Sequence, residues 1–325
     1  MPNLPNFKTW PDELVNLRPS GLKEIYDKGY QGAVKDEEAD EELHSHMEWK
    51  EFGDAAFEFG LVGSGDGKAS CPFMSTLKFA PDAYEVAQRR GDCVSFSTRN
   101  ASDLSRAVEI DIRGERETFT TVSATEPIYW WRGHSGEGAS CSRLADAVST
   151  KGGLMLRKDY PDLGLDLTEY NSKLGHDGRR GPPPDVVTEQ RKHPVGSVSR
   201  IRGPDEAADA LANGYGLSVC SSYGFSSRRD EEGISRPKGS WAHAMAWIAV
   251  DARPDTIRKH RGRLFLVQNS WGRNWNSGPK RLNQPDGSFW ITEQVARGMI
   301  NSGGALVLSD VDGWRRRELP DFSVW

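Results

Sequence analysis

From Cys93 onward, apolar residues fall at Phe96, Ala101, Leu104, Ala107 and Val108, the spacing of one helical face, and Asp92 stands just before them as an N-cap. A second helix is predicted over residues 142–150, with Leu144, Ala147 and Val148 on one side and Gly152-Gly153 ending it. Residues 175–200 are rich in Gly, Pro and Arg, with three consecutive prolines at 182–184, and read as a crossing between subdomains. Beyond them the pattern changes to short strand-like runs at 217–220, 242–250, 263–268 and 288–291, separated by Gly, Pro and charge. Helices first and strands second predict an α+β protein with two lobes, helical over about 85–185 and β-rich over about 186–325. No internal repeat is visible.

Residues 1–84 read as a separate N-terminal extension. They hold an acidic run at 36–42 and a Gly-rich turn at 60–67, with little sustained periodicity. Such a run is expected to be a solvated loop or face. The sharper expectation is a pro-segment, lid or tether, through which an assembly partner would bind.

Composition narrows the function classes. Hydrophobic residues make up 36% and no stretch approaches the roughly 20 apolar residues that span a bilayer, so no membrane partner is expected. The start, MPNLPNFKTWPDEL, lacks a basic segment followed by an apolar run and is not read as a secretory signal. A net charge of -5 argues against a nucleic-acid partner, and the Arg-Arg pairs at 89–90, 179–180 and 228–229 read as solvated surface. The cysteines at 71, 93, 141 and 220 are too scattered for a disulfide framework and form no CxxC pair, so neither metal nor cofactor is expected.

Thiol catalysis needs a thiolate, an imidazole to hold its proton, a third group to orient that imidazole, and donors for the oxyanion on the attacked carbonyl. Cys93 sits at a predicted helix N-terminus, where the helix dipole and unpaired N–H groups favour a thiolate. His243 opens an apolar strand segment. Asn269 follows the apolar run 265–268, and its side-chain carbonyl can accept from a histidine ring N–H.

The segment Gln268-Asn269-Ser270-Trp271-Gly272-Arg273-Asn274-Trp275 resembles the Asn-Ser-Trp-Gly-x-x-Trp motif of the papain and cathepsin cysteine peptidases. His243-Ala244 precedes it as that family's His-Ala strand does, and Gln88-Arg89-Arg90-Gly91-Asp92-Cys93 is similar to the family's glutamine-to-cysteine loop. The stretches around Gly136–Gly138 and Gly152-Gly153 are similar to those lining the non-primed cleft. The resemblance covers roughly residues 85–300. It implies a papain-like fold with the active-site cleft between the lobes, Cys93 as nucleophile, His243 as base and Asn269 as its orienting partner. It further implies that Gln88 donates to the oxyanion, that the Gly138 backbone pairs with an extended peptide or protein substrate, and that Trp271 packs over the Asn–His pair.

The chain departs from that pattern in four places. Gln88 precedes Cys93 by five residues, which requires a tightened oxyanion loop. Asp92 places a carboxylate beside the thiol and disfavours its ionisation, with Arg89 or Arg90 as candidates to offset it. The usual disulfide half-cysteines are absent, and with Cys141 read as a small buried apolar residue the chain looks disulfide-free. That predicts a reducing compartment and a cytoplasmic or particle-associated protein. The excess length between His243 and Asn269 predicts an extended polar hairpin at 251–263.

The leading functional reading is a cysteine-type peptidase or amide hydrolase that forms an acyl-enzyme. The alternative is a structural or interaction protein, such as a particle component, that keeps the fold with little or no protease activity. Acyl transfer to an amine is a third reading, against which the Asn-Ser-Trp-Gly motif argues.

Overall fold

The computed structural model describes residues 50–113, 118–177 and 181–321. Ten α-helices occur among them: α1 (Phe52–Glu58), α2 (Phe73–Phe79), α3 (Cys93–Arg113), α4 (Glu126–Tyr129), α5 (Cys141–Asp146), α6 (Ser172–Asp177), α7 (Pro184–Gln190), α8 (Pro204–Ala212), α9 (Pro254–His260) and α10 (Glu293–Gly303). Strands β1 (Ala69–Ser70), β4 (Ser197–Ile201), β5 (Leu217–Phe225), β6 (Pro237–Asp251), β7 (Leu264–Gln268), β8 (Ser288–Thr292) and β9 (Ala305–Ser309) form one antiparallel sheet. Its order is β4-β9-β5-β6-β7-β8, with β1 added to β6. A two-stranded ribbon, β2 (Asp159–Tyr160) with β3 (Leu165–Asp166), lies apart from it. The α+β class expected from the sequence is present.

Alternation along the strands explains the sheet's position. On β6 and β7, Met245, Trp247, Phe265 and Val267 pack with α1, α8 and α10, while Ala246, Ile248, Leu264 and Leu266 point the other way, toward α2 and α3. Both faces are therefore covered, which is why these strands read as near-continuous apolar runs rather than half-polar ones. Helix α3 presents Leu104 and Val108 to one of these faces, in register with the periodicity seen from Phe96 onward.

Three expectations need correction. Residues 50–84 are not a separate extension: Phe52 and Phe73 are fully buried in the two faces' cores, and Ser70 pairs with Val250 of the central strand. Their contacts run to distant residues, so local periodicity does not reveal them. The acidic run 36–42 lies outside the described residues. Residues 251–263 are not a hairpin but contain helix α9, started by Pro254 with Asp255 in its first turn and closed by Arg258, Lys259 and His260 in its last. Likewise, the proline run at 182–184 opens helix α7 rather than leaving an open crossing, since proline fits a first helical turn.

The chain also carries a disulfide, Cys141–Cys220, with Cα atoms 6.4 Å apart. It ties α5, on the helical side, to β5 of the sheet. Cys141 is not the unpaired apolar residue expected, and the bond counts against the reducing compartment inferred above. The half-cysteines lie 79 residues apart on different elements, a pairing that spacing alone does not reveal. No helix among the described residues is long and apolar enough to cross a membrane.

Candidate active site

Cys93 is the first residue of α3, and His243 and Asn269 lie on β6 and just past β7, neighbouring strands of the sheet. The fold bonds His243 to Asn269 and sets Cys93 against Ala244, the residue after His243. The Cys93 thiol faces the backbone N–H of Ala244, the residue after His243, together with the N–H groups of Val94 and of Cys93 itself. Cys93 is 8% exposed and His243 4%. Burial dominates the thiol and pushes its pKa up to about 11, against the pull of those N–H groups.

His243 Nε2 lies 2.8 Å from Asn269 Oδ1. Asn269 Oδ1 also accepts from the Ser270 N–H at 2.7 Å, which fixes it as the amide oxygen and makes Nε2 the protonated ring nitrogen. The basic lone pair is then on Nδ1. Asn269 is fully buried, and the Trp271 indole stacks on the imidazole with centroids 4.7 Å apart and planes 30° from parallel. Trp241 and Trp275 pack on Trp271 at 4.5 and 5.6 Å, extending an apolar wall that shields the His–Asn bond from water. Trp241 lies two residues before His243 on the same strand, and its role is not evident from sequence.

The loop ahead of Cys93 is docked on the turn after β7. Gln88 N donates to Ser270 O at 2.8 Å, and the Ser270 hydroxyl donates to Gln88 Oε1 in a short hydrogen bond. Gln88 Nε2 donates to Arg90 O at 2.7 Å. Gln88 is thus held beside the site, with one of its two amide hydrogens engaged within its own loop. Gly272 makes the docking possible. At φ +83° it adopts a conformation disfavoured for other residues, and a Cβ there would meet Ala87 Cβ at 3.0 Å.

Gly138 is placed differently from expectation. Its N–H donates to Gly91 O at 3.0 Å, so the donor half of the strand pairing assigned to it is already engaged within the chain. This contact braces the nucleophile loop, and Gly91 is required there because a Cβ would lie 2.7 Å from Gly138 N.

Asp92 is also not the anion the sequence suggested. It is buried at 1% exposure, its Oδ2 accepts from the Tyr170 hydroxyl at 2.8 Å, and burial raises its pKa to about 8. The carboxyl is largely neutral at pH 7 and leaves the thiol little opposed by charge. Arg90 does not offset it but pairs with Glu137 at 3.2 Å; Glu137 in turn accepts from Gly91 N at 2.8 Å. Tyr170 and Glu137 escaped the sequence reading because they reach the loop from 78 and 46 residues away. Among the described residues no cluster of His, Cys, Asp and Glu is arranged to hold a metal.

Compared with known proteins, the chain matches no family profile and no curated protein. Solved structures do resemble it. Xylellain, a cysteine protease from Xylella fastidiosa, is 15% identical over 70% of this chain and 82% of its own, with a TM-score of 0.45. Digestive procathepsin L 3 of Tenebrio molitor larval midgut is 15% identical over 93% of each chain, with a TM-score of 0.43. ProCathepsin B S9 from Trypanosoma congolense is 11% identical over 74% of this chain and 76% of its own, with a TM-score of 0.44. At these identities and scores the likeness fixes neither activity nor substrate, and the functional reading has to come from the geometry above.

Proposed function

We propose that the chain is a cysteine-type amide hydrolase in which Cys93 is the nucleophile, His243 the acid–base and Asn269 the group that orients it. The observation that carries this reading is the His243–Asn269 bond, because it fixes the tautomer a base needs. In the reaction, the Cys93 Sγ–H proton passes to His243 Nδ1 as sulfur bonds to the substrate carbonyl carbon. The oxyanion is held by the Cys93 N–H at the start of α3 and by the Gln88 amide. The C–N bond then breaks, His243 returns the proton to the leaving amine, and a thioester remains on Cys93. Water deprotonated by His243 hydrolyses that thioester and regenerates the thiol.

The buried thiol, with its pKa pushed up to about 11, means that proton transfer to His243 has to accompany attack rather than precede it. The same observation favours a second reading, a protein that keeps the fold and the buried His–Asn pair for structure alone. Incubating a diverse peptide library with the full chain and with Cys93→Ser separates the two. Amide cleavage by the wild type and none by the variant supports the hydrolase; equal peptide profiles leave the structural reading standing.

A further inference from the structure

A cavity of about 480 Å³ lies behind the nucleophile loop, between the segment 80–89, helix α3 and the segment 168–170. Ala80, Val86, Phe96 and Val122 give it an apolar wall, while Arg89, Asp82 and Glu169 stand at its exposed rim. Its interior cations are Arg157 and Arg99. Arg157 is neutralised, since both its terminal nitrogens bind Glu126, at 2.9 and 3.4 Å. Arg99 is not.

Arg99 is 3% exposed, and among the described residues its side chain makes one hydrogen bond, from Nη2 to Ala83 O at 2.9 Å. Its Nε is buried with no hydrogen-bond partner; burial disfavours the cation, the charges of Asp103 and Glu126 favour it, and neither carboxylate is hydrogen-bonded to it. Asp103, one turn further along α3, is engaged by Ser123 and Arg106. Buried guanidinium groups are ordinarily paired, because an isolated cation in a low-dielectric interior is strongly disfavoured. A buried cation with open donor capacity at the wall of a cavity is complementary to an anionic ligand. We infer that this cavity is a binding site for a small organic carboxylate, whose oxygens pair with Arg99 and whose carbon chain packs on the apolar wall.

The site adjoins the nucleophile loop. Phe96 and Tyr170 both line the cavity and meet edge to face at 5.2 Å, and the Tyr170 hydroxyl binds Asp92 Oδ2 and the Arg89 N–H. A ligand there is in contact with the side chain that holds the residue before Cys93, yet it touches none of the catalytic groups.

Binding is read without any assay of hydrolysis. Thermal unfolding and isothermal titration of the full chain are compared in hexanoate, benzoate and chloride at matched ionic strength, for wild type and Arg99→Met. The expected result is one-to-one carboxylate binding to the wild type, with a melting temperature raised by about 2 °C at ten times Kd. Arg99→Met shows no such rise, whatever its unliganded melting temperature, which also reflects the lost hydrogen bond to Ala83 O. Arg89→Gln, an exposed rim change that leaves the interior intact, weakens binding several-fold and keeps the test decisive if the Met variant fails to fold. No carboxylate-specific shift in the wild type, as expected if only water fills the cavity, or an equal shift in Arg99→Met, overturns the assignment.

Discussion

Asn269 Oδ1 is shared between the Ser270 N–H and His243 Nε2, so one buried oxygen sets both the turn after β7 and the tautomer of the candidate base. Orientation of the imidazole is therefore built into the backbone. Replacing Asn269 by Ala removes the acceptor while His243 remains stacked on Trp271. For a hydrolase acting through His243, kcat falls about 10–10²-fold with KM little changed, the pattern of a lost orienting contact. Steady-state kinetics on any peptide the wild type cleaves check this.

Ser270 clamps Gln88 through two hydrogen bonds, one from its hydroxyl and one to its carbonyl. Gln88→Ala is expected to lower kcat by about 10²–10³, the usual effect of losing an oxyanion donor. Ser270→Ala keeps that donor but loosens it, so a smaller fall in kcat with unchanged KM follows. Equal kinetics for wild type and Gln88→Ala contradict the oxyanion role.

Asp92 predicts a pH dependence whose sign is fixed by its environment. Burial raises its folded pKa to about 8, above the ordinary carboxylate value, so the folded state holds a proton that the unfolded state releases. Its stabilising contribution is full below the unfolded pKa of about 4 and is lost as pH rises toward 8. Asp92→Asn keeps a neutral side chain beside the Tyr170 hydroxyl at every pH. The variant is therefore expected to gain stability over wild type progressively between pH 4 and 8, and to lose part of the alkaline fall in activity. Parallel denaturation midpoints for the two proteins across that range count against the buried, neutral Asp92.

The Cys141–Cys220 bond joins the helical side to the sheet, and Cys220 pairs in register with Ala244, whose N–H faces the Cys93 thiol. Its removal in a Cys141→Ser/Cys220→Ser protein should lower stability by about 2–4 kcal/mol. Chemical denaturation with and without reductant measures this, and mass spectrometry of the alkylated protein should count two thiols before reduction and four after it. Four thiols in the unreduced folded protein contradict the bond.

What the sequence revealed and concealed divides along contact range. The helix from Cys93 and the strands around His243 and 265–268 were legible because periodicity is local. The Asn269-Ser270-Trp271-Gly272 segment was legible because its rare residues stand side by side. Asp92 was misjudged because its partner, Tyr170, lies 78 residues on, and a carboxyl's charge depends on what buries it. Residues 50–84 looked like an extension because Phe52 and Phe73 find their neighbours on a sheet built mostly from the second half of the chain. The stretch 251–263 suggests a hairpin from its length and polarity, although Pro254 opens α9 within it.

In the proposed mechanism His243 activates Cys93. Cys71 and Cys93 are the two free thiols, both buried, and Cys71 is also held well above the usual thiol range by its burial. The direct measurement is the alkylation rate of each by iodoacetamide in the folded protein at pH 7, in wild type and in His243→Ala. Cys93 is expected to react at least ten times faster than Cys71, and His243→Ala to remove most of that advantage, a tenfold ratio being about 1.4 kcal/mol. Equal rates for the two thiols, or a Cys93 rate untouched by His243→Ala, would contradict it.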